Sequence, residues 1–331
     1  MAASIREVAE IAGVSIATVS NVLNRPELVA DPTIERVRAA ITETGYVPNA
    51  SARQLRVGSA PTINVVIPDI SNPFFADLTS GVERVAAERD LAVLIASTEG
   101  DAEREARYLR TIVEQRPTGV LITPADTTHD ALALLGDRLP VVLVDRHSDG
   151  DTSSVSVDDV RGAAIAVDHL AELGHRRVTW VVGPDSIPQC AERTDGLTAA
   201  AARHDIAVTT MRVDHLTVAE GRSLAASLDV DDLPTAIVCA NDLLALGVEF
   251  ALLERGARIP DDVSVVGFDD IEFGAAAAVP LTSVARPSAE LGAAALELLL
   301  GERDDPDHSP RQIRFEPSLS VRRSTAAPRT P

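Results

Sequence analysis

Hydrophobic and polar positions along the 331-residue chain change rhythm near residue 60. Beyond that point short apolar, β-branched runs recur at 62–68, 91–97, 119–123 and 140–144, then at 177–183, 208–213, 235–239 and 263–267. Helix-length stretches lie between them at 74–88, 101–115, 158–173, 189–203, 217–228, 241–254 and 288–300. Apolar strands separated by helices read as parallel βαβ units, because parallel strands need a crossover and are buried on both faces. A break near 145–160 predicts two doubly wound lobes. Ligands bind outside the carboxyl ends of strands in such sheets, so the cleft between facing lobes is the expected site.

Residues 1–58 keep a helical period instead. Ser4-Ile5-Arg6-Glu7 is a capping box and predicts a helix over 5–12. Gly13 supplies a turn, Val14 a plug for the interior, and Ser15 the cap of a second helix reaching about 24. Asp31-Pro32 is expected to cap and open a third helix that ends near Gly45. A helix, a short glycine turn and a second helix have helix-turn-helix spacing. On the second helix Val19, Val22 and Leu23 point inward, while Ala17, Ser20, Asn21 and Asn24 form a small, uncharged, hydrogen-bonding face suited to a groove floor. A plain three-helix bundle with a solvated polar stripe fits the same pattern.

The length allows two or more domains. Acidic residues outnumber basic ones 50 to 30, a net charge of −20 that argues against non-specific coating of nucleic acid or anionic membrane. The first 60 residues, however, hold six arginines and six acids, so the whole excess falls on 61–331. Every basic residue is an arginine, which reads as a compositional bias. Cys190 and Cys239 are the only cysteines and have no metal spacing, so neither a disulfide framework nor a metal site is expected. Arg6, Glu7 and Glu10 interrupt the apolar stretch a signal peptide needs, and no run of about 18 apolar residues occurs. The expectation is a cytoplasmic protein without a membrane segment. No P-loop, G-x-S-x-G, H-E-x-x-H or G-x-G-x-x-G is present, and no catalytic residue or cofactor is expected.

Two strings are specific: V-A-x-x-A-G-V-S-x-x-T-V-S-x-V-L-N at 8–24 and G-Y-x-P-N-x-x-A-R-x-L at 45–55. Together they resemble the headpiece of the LacI/GalR family of transcriptional regulators. The resemblance continues through PDISNPFF, GVLITP, VDR, Arg193, CAND, VSVVGFDD and LTSVARP, covering about residues 4–323. It implies an all-α helix-turn-helix headpiece followed by an α/β periplasmic-binding-protein-like core of two doubly wound parallel-sheet lobes. The headpiece would span 1–48, a hinge helix and linker 49–61, and the core 62–331. Lobe 1 would comprise about 62–160 and 288–317, and lobe 2 about 161–287 and 318–324, with crossovers near 159–162, 286–290 and 316–320.

Carried over by position, Ile16, Ala17 and Asn21 are the base readers, and Ser15, Thr18, Ser20 and Asn24 meet phosphates or support the helix. Isoleucine and alanine suit a thymine methyl, and an asparagine amide suits adenine N6 and N7. In the hinge, Asn49, Arg53, Leu55 and Arg56 would enter a minor groove, Leu55 as an apolar wedge between base steps. The implied effector positions are Asn72, Phe74, Arg146, Asp158, Gln189, Arg193, Leu216, Asn241 and Asp269. Carboxylates, amides, an arginine fork and an aromatic face suit a polyol, so a sugar leads. Leu216, where several family members carry an aromatic, and the extra cation Arg146 keep phosphorylated, acidic and nucleoside-like effectors open. Asp158 and Asp242 also read as helix caps, and Cys190 as a small filler.

A homodimer on a pseudo-palindromic operator follows from one headpiece per half-site. Residues 318–331 contain no leucine heptads and read as a short strand with a disordered tail. The expected function is a repressor whose operator affinity responds to a small molecule. A transport solute-binding protein would need only the core, and a sugar-processing enzyme is the more distant alternative.

Overall fold

The computed structural model describes residues 3–46, 59–125, 130–135, 139–148, 150, 152–230, 232–305 and 307–329. Two compact units divide at residues 60 and 61. In the first, α1 (Ile5–Ala12) and α2 (Ile16–Asn24) are joined by a tight turn, and a single 3-10 turn (Pro26–Leu28) leads to α3 (Asp31–Thr44). The Ser4 hydroxyl accepts from the Glu7 amide at 3.3 Å, and Gly13, at φ 62°, ends α1 in the left-handed region that glycine tolerates. Val8, Ala9, Ala12, Val19, Val22, Val37 and Ala40 are buried, with Val14 and Leu23 packed against them. The third helix departs from the sequence reading: Ala30 holds its cap position without a side-chain bond, and Asp31 is the first helical residue. There its carboxylate still faces the positive end of the helix dipole.

In the second unit the first lobe is built from β1 (Ala60–Ile67), α4 (Pro73–Ala87), β2 (Ala92–Ser97), α5 (Ala102–Gln115), β3 (Pro117–Ile122), α6 (Asp130–Ala133), β4 (Val141–Val144) and β5 (Ser154–Val157). The second lobe continues with α7 (Asp159–Leu173), β6 (Arg177–Val182), α8 (Pro188–Arg203), β7 (Ala207–Arg212), α9 (Val218–Ala226), β8 (Ala236–Cys239), α10 (Asp242–Glu254), β9 (Ser264–Asp269), α11 (Glu272–Ala275) and β10 (Thr282–Ala285). The chain then returns through α12 (Ser288–Asp304) and β11 (Gln312–Phe315) to the first sheet and closes with β12 (Ser318–Ser320) on the second. Strand order is β11-β5-β4-β3-β1-β2 in one sheet and β12-β10-β9-β8-β6-β7 in the other, with β12 antiparallel to β10.

The first sheet is covered on both faces, as its continuous apolar strands require. Val65, Ile67, Leu121, Val142 and Val144 join α4 and α12, while the alternate residues Val66, Val120, Ile122 and Leu143 join Leu109 and Ile112 of α5. Helices α4 and α12 approach closely through two glycines. A Cβ at Gly81 would stand 1.9 Å from the Ala289 carbonyl oxygen, and one at Gly292 2.0 Å from that of Leu78.

The end of the chain corrects the expectation of a disordered tail. Ser324 is fully buried, exchanges main-chain contact with Val265, and takes the Thr282 amide on its hydroxyl at 2.7 Å. Ala326 bonds to the Ser264 hydroxyl, and Arg329 pairs with Asp262 at 2.6 Å. Small hydroxyl residues, polar on paper, here serve as the hydrogen-bonding border of the second sheet. Among the described residues no helix is long and apolar enough to cross a membrane.

Candidate DNA-reading helix and interlobe cleft

In the first unit, the Ser15 hydroxyl accepts from the Thr18 amide at 3.0 Å and contacts the Thr18 hydroxyl at 2.8 Å, fixing the start of α2. With Val19 and Val22 buried, Ile16, Ala17 and Asn21 are left exposed, Ile16 by 43 %. Asn24 turns back to donate to the Ser20 carbonyl at 2.7 Å and, at 3.4 Å, to its hydroxyl, bracing the last turn of the helix. No residue of α2 carries a charge, so its exposed face offers one large apolar side chain, Ile16, and short polar ones. The hinge candidates Asn49, Arg53, Leu55 and Arg56 lie outside the described residues.

In the second unit, the loops after the strands bring five charged side chains into one buried network. Arg193, on α8, donates from Nε to Asp159 at 2.7 Å and from Nη1 to the Ala240 carbonyl, and its Nη2 lies 3.9 Å from Asp269. Arg286, at the passage from β10 to α12, donates to Asp269 at 3.0 Å and to Asp145 in the loop after β4. The Gln189 amide donates to the Asp145 main chain and carboxylate, the latter at 3.1 Å, so a second-lobe helix holds a first-lobe loop. Each guanidinium lies over an aromatic face, Arg193 at 3.8 Å from the Phe268 centroid and Arg286 at 4.0 Å from that of Phe74. The cavity left beside Asp145, Arg146, Asp159 and Gln189 is about 10 Å³, at the lower limit for one water.

Burial dominates the electrostatics here. It pushes the Asp269 carboxyl well above the ordinary carboxylate range against the pull of Arg193, lifts Asp159 likewise, and brings Arg286 down to about 9. Asp269 is displayed by an uncommon backbone: it and Asp270 have φ of 107° and 57°, a left-handed pair with no glycine. Asp242 anchors that turn by accepting from the Ile271 amide at 2.8 Å and the Ser283 hydroxyl at 2.6 Å. Its own pKa is raised to about 7, chiefly by burial.

Of the sequence-derived positions, the structure gathers Phe74, Arg146, Gln189, Arg193 and Asp269 around this cleft. Asn241 caps α10 and donates to the Leu216 carbonyl at 3.2 Å, holding that loop next to the Ala240–Arg193 contact. Asn72 caps α4. Asp158 caps α7 and pairs with Arg314 at 2.9 Å, whereas its neighbour Asp159 turns into the cleft. Asp145, Asp159 and Arg286 escaped the sequence reading, although Asp145 and Arg286 lie inside quoted motifs and Asp159 adjoins the candidate Asp158. Asp242 does not cap α10 as the sequence suggested: Asn241 takes that position, and the Asp242 carboxylate turns to Ile271 and Ser283 instead. Cys190 is a fully buried filler against Gly183. No cluster of three or more metal-ligating side chains occurs among the described residues.

Comparison with known proteins agrees with this division. Residues 4–49 match the model for bacterial regulatory proteins of the lacI family, and residues 60–317 that for periplasmic binding proteins and the sugar binding domain of the LacI family. An HTH-type transcriptional repressor PurR of Aliivibrio fischeri is 33 % identical over 335 residues, covering 98 % of each chain. A lac repressor dimer bound to operator and the anti-inducer ONPF superimposes with a TM-score of 0.87 at 27 % identity, covering 99 % of this chain and 100 % of that one. A LacI family regulator from Enterococcus faecium with bound ribose gives a TM-score of 0.74 at 28 % identity over 81 % of this chain and all of its own. The headpiece match removes the solute-binding and enzyme alternatives: the chain belongs to the LacI family and is a DNA-binding transcriptional repressor with an effector-binding core.

Proposed function

We propose that this repressor senses a carbohydrate in the interlobe cleft and reads a pseudo-palindromic operator as a homodimer in the cytoplasm. Residues 1–48 carry the reading helix, with Ile16, Ala17 and Asn21 on base edges and Ser15, Thr18, Ser20 and Asn24 on phosphates or bracing. Residues 49–61 form the hinge and linker, with Asn49, Arg53, Leu55 and Arg56 in the minor groove, and 62–331 form the sensing core.

The observation that carries the effector reading is the alternation of buried carboxylate and guanidinium groups, Asp159–Arg193–Asp269–Arg286–Asp145, across the cleft. Such a row offers acceptors and donors at hydroxyl spacing. A purine base is the rival, since the curated relative is named PurR. Flat bases need a free stacking face, and here one face of each phenylalanine at the network is covered by a guanidinium, while Phe74 and Phe268 are only 2 % and 1 % exposed. An effector entering the cleft exchanges the Gln189–Asp145 and Arg286–Asp145 contacts for its own. It thereby favours a different lobe arrangement in proportion to its differential affinity. The first lobe leaves Ile70 and Ile95 exposed around a hollow of about 240 Å³ beside edge strand β2, a surface suited to a second copy.

Isothermal titration with neutral and acidic sugars, and with hypoxanthine and guanine, tests the effector class. Binding of a sugar that Asp269→Ala weakens by at least about 10-fold fits the loss of a charged hydrogen bond. Binding of the bases alone contradicts the proposal.

A further inference from the structure

The cleft contains more cation than its carboxylates engage. Arg193 has Asp159 at 2.7 Å, and Arg286 has Asp145 and Asp269. Arg146, which lines the same cavity, forms no ion pair among the described residues. Among those residues it donates one hydrogen bond, from Nη2 to the neutral Pro124 carbonyl at 2.8 Å. Both Nε and Nη1 of Arg146 are buried without an acceptor among the described residues, and so is Nε of Arg286, whose side chain is 2 % exposed. Three guanidinium nitrogens facing no acceptor are costly, because their N–H groups have given up water and gained nothing in exchange. A guanidinium does not escape the cost by losing its proton, as a lysine would. The acids whose charges reach Arg146 are Glu192, Glu105 and Asp159: Asp159 is taken by Arg193, and burial pushes the Glu192 carboxyl upward, toward the neutral form. A protein that needed Arg146 only to tie down the Pro124 carbonyl could do so with a neutral amide.

We infer that the effector carries an anionic group, a carboxylate or a phosphate monoester, that Arg146 neutralises, with Arg286 Nε as a second open donor. This rests on the carbohydrate reading above and narrows it to a sugar acid or a sugar phosphate. The anion supplies what the cleft lacks: acceptor oxygens in the plane of a guanidinium fork, in the bidentate geometry that favours arginine. The hydroxyls of the same molecule meet Asp269, Asp159 and Asp145.

Matched pairs test it on the full-length protein: D-glucose against D-gluconate and D-glucose 6-phosphate, D-galactose against D-galacturonate, and D-ribose against D-ribose 5-phosphate. Hypoxanthine serves as the control, and titration calorimetry reads affinity. The expected result is tighter binding of at least one anionic member than of its neutral parent. Arg146→Gln should weaken that anionic ligand by about 10- to 100-fold, the loss of a charge-assisted hydrogen bond, and change the parent by much less. The gluconate and galacturonate arms separate a carboxylate from the phosphate read by the other two. A neutral sugar that binds as well as its anionic partners overturns the inference and leaves the carbohydrate reading standing. Binding of hypoxanthine alone, or of none of these compounds, overturns both. An anionic ligand that Arg146→Gln does not weaken overturns the assignment to Arg146. The unliganded variant should melt no lower than wild type, since it loses an unpaired buried charge; a large drop marks Arg146 as structural and also counts against the inference.

Discussion

Glu249 gives the second lobe a stability that depends on pH in the opposite sense to that of a salt-bridged carboxylate. It lies on α10, is 2 % exposed, and its Oε1 has no hydrogen-bond partner among the described residues. Burial, with the neighbouring charge of Asp242, raises its pKa from the ordinary 4.5 to about 8. Because the folded-state value is the higher one, the neutral carboxyl is favoured in the fold. Its contribution is fully present below pH 4.5 and is lost as pH rises through 8. At about 1.4 kcal/mol per unit, raising the pH from 4.5 to 7 removes about 3 kcal/mol of stability. Asp242, raised to about 7, adds a loss of the same sign. Urea denaturation at pH 5, 6, 7 and 8 should therefore show wild-type stability falling across the series. Glu249→Gln should flatten that fall and exceed wild type at pH 8, and Glu249→Leu should do the same without an amide to bury. A difference between wild type and Glu249→Gln that stays constant from pH 5 to pH 8 refutes the reasoning.

On the DNA side, Asn21→Ala should cost about 1–3 kcal/mol at one operator position and relax the preference there, read by competition with singly substituted operators; uniform weakening on every sequence excludes a base contact. Gly292→Ala should destabilise the core by about 1–3 kcal/mol in thermal or urea unfolding, because the new methyl meets the Leu78 carbonyl rather than a movable side chain. Ile95→Glu, on the exposed edge of the first sheet, should shift the protein toward monomer in sedimentation equilibrium; an unchanged dimer places the interface elsewhere.

Alternation of apolar runs and helical stretches was enough to locate eight strands: six are apolar blocks buried along most of their length, and the edge strands β2 and β7, although largely exposed, are still rich in apolar or β-branched residues. Three strands hid because their residues do not look apolar. β5 is Ser-Val-Ser-Val with all four positions buried, β10 is half hydroxyl, and β11 alternates half-buried residues with exposed ones at the border of its sheet. The same ambiguity separated Asp158 from Asp159. Either can precede a helix, but only the packing of α7 against α8 decides which carboxylate caps and which faces Arg193. A Cβ at Gly196 of α8 would stand 2.1 Å from the Val160 carbonyl, so these helices are nearly in backbone contact. Asp145 stayed hidden behind the more conspicuous Arg146. Arg286 stayed hidden because its partners are 141 and 17 residues away, a pairing that only the folded crossover creates.

The central claim is that occupancy of the Asp269 cleft controls the affinity of the headpiece for DNA. It is tested most directly by fluorescence anisotropy of a labelled operator duplex with and without a sugar ligand found by titration. Allosteric coupling of about 1–3 kcal/mol corresponds to a ratio of about 5 to 150 between liganded and unliganded Kd. The account predicts a ratio in that range for wild type and a collapse to about one for Asp269→Ala. A wild-type ratio of one, or the same ratio in the variant at the same ligand concentration, contradicts it.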